Sequence, residues 1–122
     1  MRENRFYQEH KEDFDVMFNG DFMGFSEEDF DYAFADAKDY IFLKIVDDKK
    51  QGRAAAEVLV SEIPEAKKVQ ARKTILHITG EIGLDYCNEV TDELQKLLGD
   101  IDVTFCAGFA EKAPVIRTVF IF

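Results

Sequence analysis

Residues 70–90, QARKTILHITGEIGLDYCNEV, run a strand into a helix across a short break, and this junction constrains the fold more than any other segment. Thr74–Ile78 is short, apolar and rich in β-branched residues, as a buried strand is. Thr79-Gly80 then interrupts it. From Leu84 to Leu98, Cys87, Val90, Leu94, Leu97 and Leu98 recur at helical spacing, with Gly99 as the stop. A strand that feeds a helix of this length returns, as a rule, to a parallel strand of the same sheet through a right-handed crossover.

The flanking segments extend the pattern. Tyr40–Val46 reads as a strand interrupted only by Lys44, and Gln51–Ile63 as a helix carrying Ala54, Ala55, Val58 and Leu59, ended by Pro64. Ile101–Phe109 and Val115–Phe122 read as two more strands, joined by a turn around Glu111–Pro114 and expected to pair as an antiparallel hairpin. The order is β-α-β-α-β-β. It predicts an α/β (α+β) domain over residues 39–122, a four-stranded mixed sheet with both helices on one face.

Residues 1–38 have a different character. They hold seven of the twelve phenylalanines (Phe6, Phe14, Phe18, Phe22, Phe25, Phe30 and Phe34) in an acidic background. Phe6/Tyr7, His10, Phe14 and Met17/Phe18 predict one amphipathic helix over 3–18, broken by Asn19-Gly20. Ser26 reads as an N-cap with Glu28 and Asp29 in the first turn, and Phe30, Ala33, Phe34 and Ala37 form the stripe of a second helix. On the predicted sheet, Thr74, Leu76 and Ile78 alternate with Ile75, His77 and Thr79. The second set mixes apolar and polar groups, so that face is expected to be covered, by the aromatic arm in preference to another subunit. Burying one Phe contributes roughly 1.5–3 kcal/mol.

A net charge of −10 disfavours nonspecific nucleic acid and anionic membranes as partners. Residues 1–39, with twelve acids and four bases, carry −8 of it, whereas residues 49–73 are net +4. No apolar run approaches the ~20 residues of a spanning helix, and MRENRFYQEHKEDF is too polar for a signal peptide, so a cytoplasmic location is the expectation. The two cysteines, Cys87 and Cys106, fall in a helix and a strand and read as small buried hydrophobes.

The strand ending His77-Ile78-Thr79-Gly80, the helix opening at Leu84 and the following Asn88-Glu89-Val90 resemble the C-terminal domain of the tubulin-like cell-division GTPase FtsZ. There the corresponding phrases are Asn-Ile-Thr-Gly and Leu-x-Glu-Val-Asn. QGRAAAEVLVSEIP (51–64) looks like that domain's preceding helix, and Asp102–Phe109 with Val115–Phe122 like its closing strands, so the resemblance covers about residues 39–122. The family's glycine-rich phosphate loop has no counterpart here. Asn19-Gly20-Asp21-Phe22 resembles the start of the family's Asn-x-Asp-Phe-x-x-Val loop, which in full-length relatives places carboxylates against the next subunit's nucleotide. The second acid of that pattern falls on Gly24, and Phe34-Ala35-Asp36 is a rival match in the wrong place. The resemblance implies a protein-interaction or assembly module without its own GTPase activity, associating with itself or with a polymerising tubulin-like GTPase.

Catalytic constellations are sparse. His10 and His77 belong to no metal-binding spacing, and Ser26 and Ser61 lack a nucleophile context. Setting Gly20 at the sixth position of a calcium loop puts Ser26 where a bidentate Glu is needed, which rejects that site. No cofactor is expected. Lys44, His77 and Arg117 are expected to converge on one sheet face, where they suit an anion. With Asp21 and Phe22 they are the candidate interaction residues. An alternative function follows from fold analogy with chorismate mutase-like and YjgF-like trimers: a small anionic metabolite bound, or turned over, between subunits. Acidic 1–39 of one molecule meeting basic 49–73 of the next would give head-to-tail assembly.

Overall fold

The structure, a computed structural model, describes residues 4–19, 24–109 and 113–122. Asp21 and Phe22, and the loop resemblance built on them, lie outside the described residues. The arm contains three helices, α1 (Arg5–Glu9), α2 (Lys11–Phe18) and α3 (Glu27–Phe34). Asn4 caps α1, its Oδ1 accepting from the N–H groups of Phe6 and Tyr7. The single helix expected over 3–18 is therefore two, because His10 leaves helical geometry (φ −133°, ψ 39°). The break turns both apolar stripes onto one surface, and Phe6, Tyr7, Phe14 and Met17 are all buried. Ser26 caps α3 in a reciprocal box: its Oγ accepts from the Asp29 N–H (3.1 Å), and Asp29 Oδ2 accepts from the Ser26 N–H (2.9 Å).

Next come β1 (Tyr40–Val46), α4 (Gly52–Ser61), a short α5 (Glu65–Lys68), β2 (Lys73–Gly80), α6 (Leu84–Leu98), β3 (Asp102–Phe109) and β4 (Val115–Ile121). The sequence reading did not anticipate α5, which opens after Pro64 where proline is tolerated. Gly80 ends β2 at φ 139°, a backbone conformation closed to most side chains, and frees the chain to turn toward α6.

The four strands form one mixed sheet in the order β1-β4-β2-β3. β2 and β3 are parallel, and β4 runs antiparallel to both β1 and β2. The expected β3–β4 hairpin is absent: β4 lies between β1 and β2, and β3 is an edge strand. β4 is buried along nearly its whole length, whereas β3 begins on an exposed Asp102. A continuous apolar strand gains most from a central place, where both faces are covered.

Each face of the sheet has its own core. On one, α4 and α6 bury Ala55, Ala56, Leu59, Val60, Cys87, Val90 and Leu94 against Leu76, Ile78, Ile116 and Phe120. Both helices thus lie on one face, as predicted, but their stripes are rotated. Val58 (51% exposed) and Leu97 (42%) face outward, and Glu93 is buried, with Arg53 and Lys96 nitrogens each 3.9 Å from its carboxylate. The cause is that α4 and α6 pack against each other as well as on the sheet. A Cβ on Gly52 would sit 3.1 Å from Val90 Cγ2 and 3.2 Å from the Tyr86 carbonyl, so this glycine sets how closely they approach. On the opposite face the arm buries Phe6, Tyr7, Phe14, Met17, Phe25, Phe30 and Phe34 over Ile75, Cys106, Val119 and Ile121.

Candidate interaction surface

Strand register builds a row of four side chains across the arm-covered face. Lys44 of β1 is opposite Arg117 of β4, Arg117 is opposite His77 of β2, and His77 is opposite Cys106 of β3. The alternation that puts Ile75 and Val119 beneath the arm puts His77 and Arg117 there too. The convergence of Lys44, His77 and Arg117 expected from sequence is therefore present.

The anion that meets this row belongs to the chain itself. Arg117 Nε donates to Asp13 Oδ1 at 3.0 Å, and Lys44 Nζ is 3.8 Å from the same oxygen. Asp13, on α2, escaped the sequence reading. The available signal was its position three residues after His10, on the flank of the buried stripe. His10 itself stacks on Phe42, with ring centroids 4.4 Å apart.

His77 is 0% exposed, and neither ring nitrogen has a hydrogen-bond partner among the described residues. Burial, reinforced by the positive charge of Arg117, pushes its pKa down to about 4, so the imidazole is neutral at pH 7. Burial likewise pushes the Cys106 thiol up to about 12, with Asp29 adding to the effect, so that sulfur is an inert core group. Both cysteines are buried and free. Among the described residues, no three His, Cys, Asp or Glu side chains come together as a metal site, and no helix is long and apolar enough to cross a membrane.

Further polar ties fasten the arm around its rim. The Tyr40 hydroxyl donates to Glu9 at 2.6 Å, and burial, with this bond second, raises the Tyr40 pKa. The Tyr32 hydroxyl donates to Asp102 of β3. Lys73 Nζ donates to the Tyr32 carbonyl at 2.6 Å and lies over the Tyr32 ring. Nearer the junction with the sheet, Lys67 pairs with Asp39 at 2.7 Å, and Arg72 donates to the Asp36 carbonyl at 3.0 Å. Three bases of the 49–73 stretch thus meet the acidic segment of their own chain. Lys67 with Asp39 meets within one molecule a charge pairing of the kind expected between molecules, while Arg72 and Lys73 bond backbone carbonyls of the acidic segment.

A second apolar surface lies at the sheet edge. Beside β1, a cleft of about 410 Å³ is lined by Ile45, Val46, Ala54, Ala55 and Val58 together with Asp47, Asp48, Lys49 and Gln51, with Val46 56% exposed.

No protein-family model matches this chain, and no curated protein matches it. Solved structures do. An FtsZ dimer from M. jannaschii superposes with a TM-score of 0.68 at 13% identity, covering 85% of this chain and 33% of that one. GDP-form protofilaments of TubZ from Bacillus thuringiensis serovar israelensis match with a TM-score of 0.61 at 12% identity, over 84% of this chain and 30% of theirs. The fold is that of part of the FtsZ and TubZ chains. The chain spans about a third of the length of those proteins.

Proposed function

We propose that this chain is a non-catalytic, cytoplasmic protein-interaction or assembly module of the FtsZ C-terminal-domain type. It associates with itself or with a polymerising tubulin-like GTPase, and it hydrolyses no GTP of its own. The observation that carries this reading is the likeness of some 85% of the chain to FtsZ and TubZ, in structures described as a dimer and as protofilaments. Two surface features support it. β1 is an edge strand with an apolar cleft beside it, a form of surface that accepts an added strand or helix. The acidic arm and the basic 49–73 stretch are of opposite charge, which favours contact between copies wherever the arm of one reaches the other.

The test combines sedimentation velocity of the purified chain from low to high ionic strength with co-pelleting against assembled FtsZ-type polymer. Self-association, or capture in the pellet, is the expected result. A chain that stays monomeric at every salt concentration and never enters the pellet sinks the reading. Release of phosphate from GTP by the chain alone would overturn its non-catalytic part.

A further inference from the structure

We propose that two copies of this chain assemble by exchanging helices α1, α2 and α3 of their N-terminal arms, so that Asp13 of each chain closes on Arg117 and Lys44 of the other. The inference rests on the assembly reading and names its surface and its partner, a second copy. The charge pattern sets the form that assembly through the arm would take. Asp13 of the arm already faces two cations of its own sheet, so the same pairing can form between molecules only if the arm leaves its own sheet.

The way the arm is attached permits it. The arm lies on the sheet face through side-chain burial and a few polar ties, and its described residues add no strand to the sheet. Four of those ties transfer intact to a neighbouring sheet: Asp13 with Arg117 and Lys44, Glu9 with Tyr40, Tyr32 with Asp102, and Lys73 with the Tyr32 carbonyl. The apolar cluster transfers with them, since its members divide between the rings of the arm and residues of the sheet: Tyr40 and Phe42 of β1, Ile75 of β2, Cys106 of β3, and Val119 and Ile121 of β4.

The hinge is short and strained. Lys38 N–H already donates to the Phe122 carbonyl, and Phe122 N–H to that of Asp39, so the chain has joined the sheet by residue 38. The reversal between α3 and β1 is left to residues 35–37. There Asp36 has φ 60°, in the left-handed region that Asp tolerates better than most side chains but that still costs it relative to glycine. Opening the hinge lets Asp36 return to extended geometry and continue the line of β1. A short connection under strain is the arrangement that favours exchange over closure.

Two substitutions at Asp36 push the equilibrium in opposite directions. Asp36→Gly removes the strain of the closed turn and is expected to weaken dimerisation by about tenfold. Asp36→Pro fixes φ near −65°, which the closed turn cannot accept, and is expected to strengthen it by at least about tenfold. Ala35 (φ −59°, ψ 126°) already has the geometry that a following proline requires. Monomer–dimer constants come from sedimentation equilibrium of the full chain. Isotope-filtered NOE spectra of a 1:1 mixture of labelled and unlabelled chains then identify whose arm lies on which sheet. A contact between His10 of one chain and Phe42 of the other supports exchange. A dimer whose His10–Phe42 contact stays within each chain, or a constant unmoved by both substitutions, overturns exchange while leaving the assembly reading standing. Absence of any dimer in the wild type and in Asp36→Pro overturns exchange, and co-pelleting with polymer then decides the broader reading independently.

Discussion

His77 is buried beside Arg117 with both ring nitrogens unpartnered, and that makes it a measurable source of pH dependence. Its pKa in the folded chain is about 4, below the unfolded value near 6.5. The unfolded chain therefore takes up the proton first as pH falls. The stability associated with the neutral imidazole is complete above pH 6.5 and drains away down to pH 4, by about 3 kcal/mol in all. Urea unfolding at pH 7 and pH 4.5 should show this loss in the wild type, and His77→Leu should flatten the difference over the same window. The neighbouring contact tests a different term. Arg117→Met leaves Asp13 without its closest cation beneath the arm and should cost about 2 kcal/mol, whereas Asp13→Asn with Arg117→Met should recover part of that loss. Equal costs for the single and double variants would mean that Arg117 acts through packing alone.

Helix pairing on the other face has a small residue at a close contact. Gly52 opens α4 where the Cβ of any larger residue would press on Val90, Glu89 and the Tyr86 backbone. Gly52→Val should separate α4 from α6 and cost roughly 1–3 kcal/mol, read as a shift in the urea midpoint. Ser26→Ala removes one half of the box that starts α3 and should cost about 1 kcal/mol. Because α3 belongs to the arm, its effect should appear first as faster amide exchange in α3, with β2 and β4 still protected. Uniform acceleration across the sheet would show that arm and sheet open as one unit.

At the scale of the molecule, the sheet has two buried faces and cannot do without either cover. A chain beginning at residue 39 would expose Ile75, Val119, Ile121 and Phe42 together, a continuous apolar patch on an open sheet. Such a truncation is expected to aggregate at concentrations where the full chain remains clear by light scattering. A monodisperse truncated chain would mean that the arm contributes little to keeping this face from water. The distribution of charge supports the arm's role as cover. Asp13 pairs with Arg117 beneath it and lies near Lys44, while Lys67, Lys73 and Arg72 hold its rim and its junction.

Local pattern was enough to identify most elements. The spacing of Cys87, Val90 and Leu94 gives α6 its bounds, the Ser26 box starts α3, and alternation along β2 indicated a second face in need of cover. These signals lie within one or two turns of the chain, where periodicity and capping act directly. Strand order was not legible in that way. A five-residue connection between β3 and β4 suggested a hairpin, yet the chain places β4 between β1 and β2. The near-continuous apolar run Val115–Phe122 was the clue, since such a strand belongs at the centre of a sheet. Lys44, His77 and Arg117 were recognised as a possible convergence, but not the carboxylate that completes it, because Asp13 lies 104 residues from Arg117. Which charge meets which is decided by packing between distant segments, and only the folded chain brings those segments together.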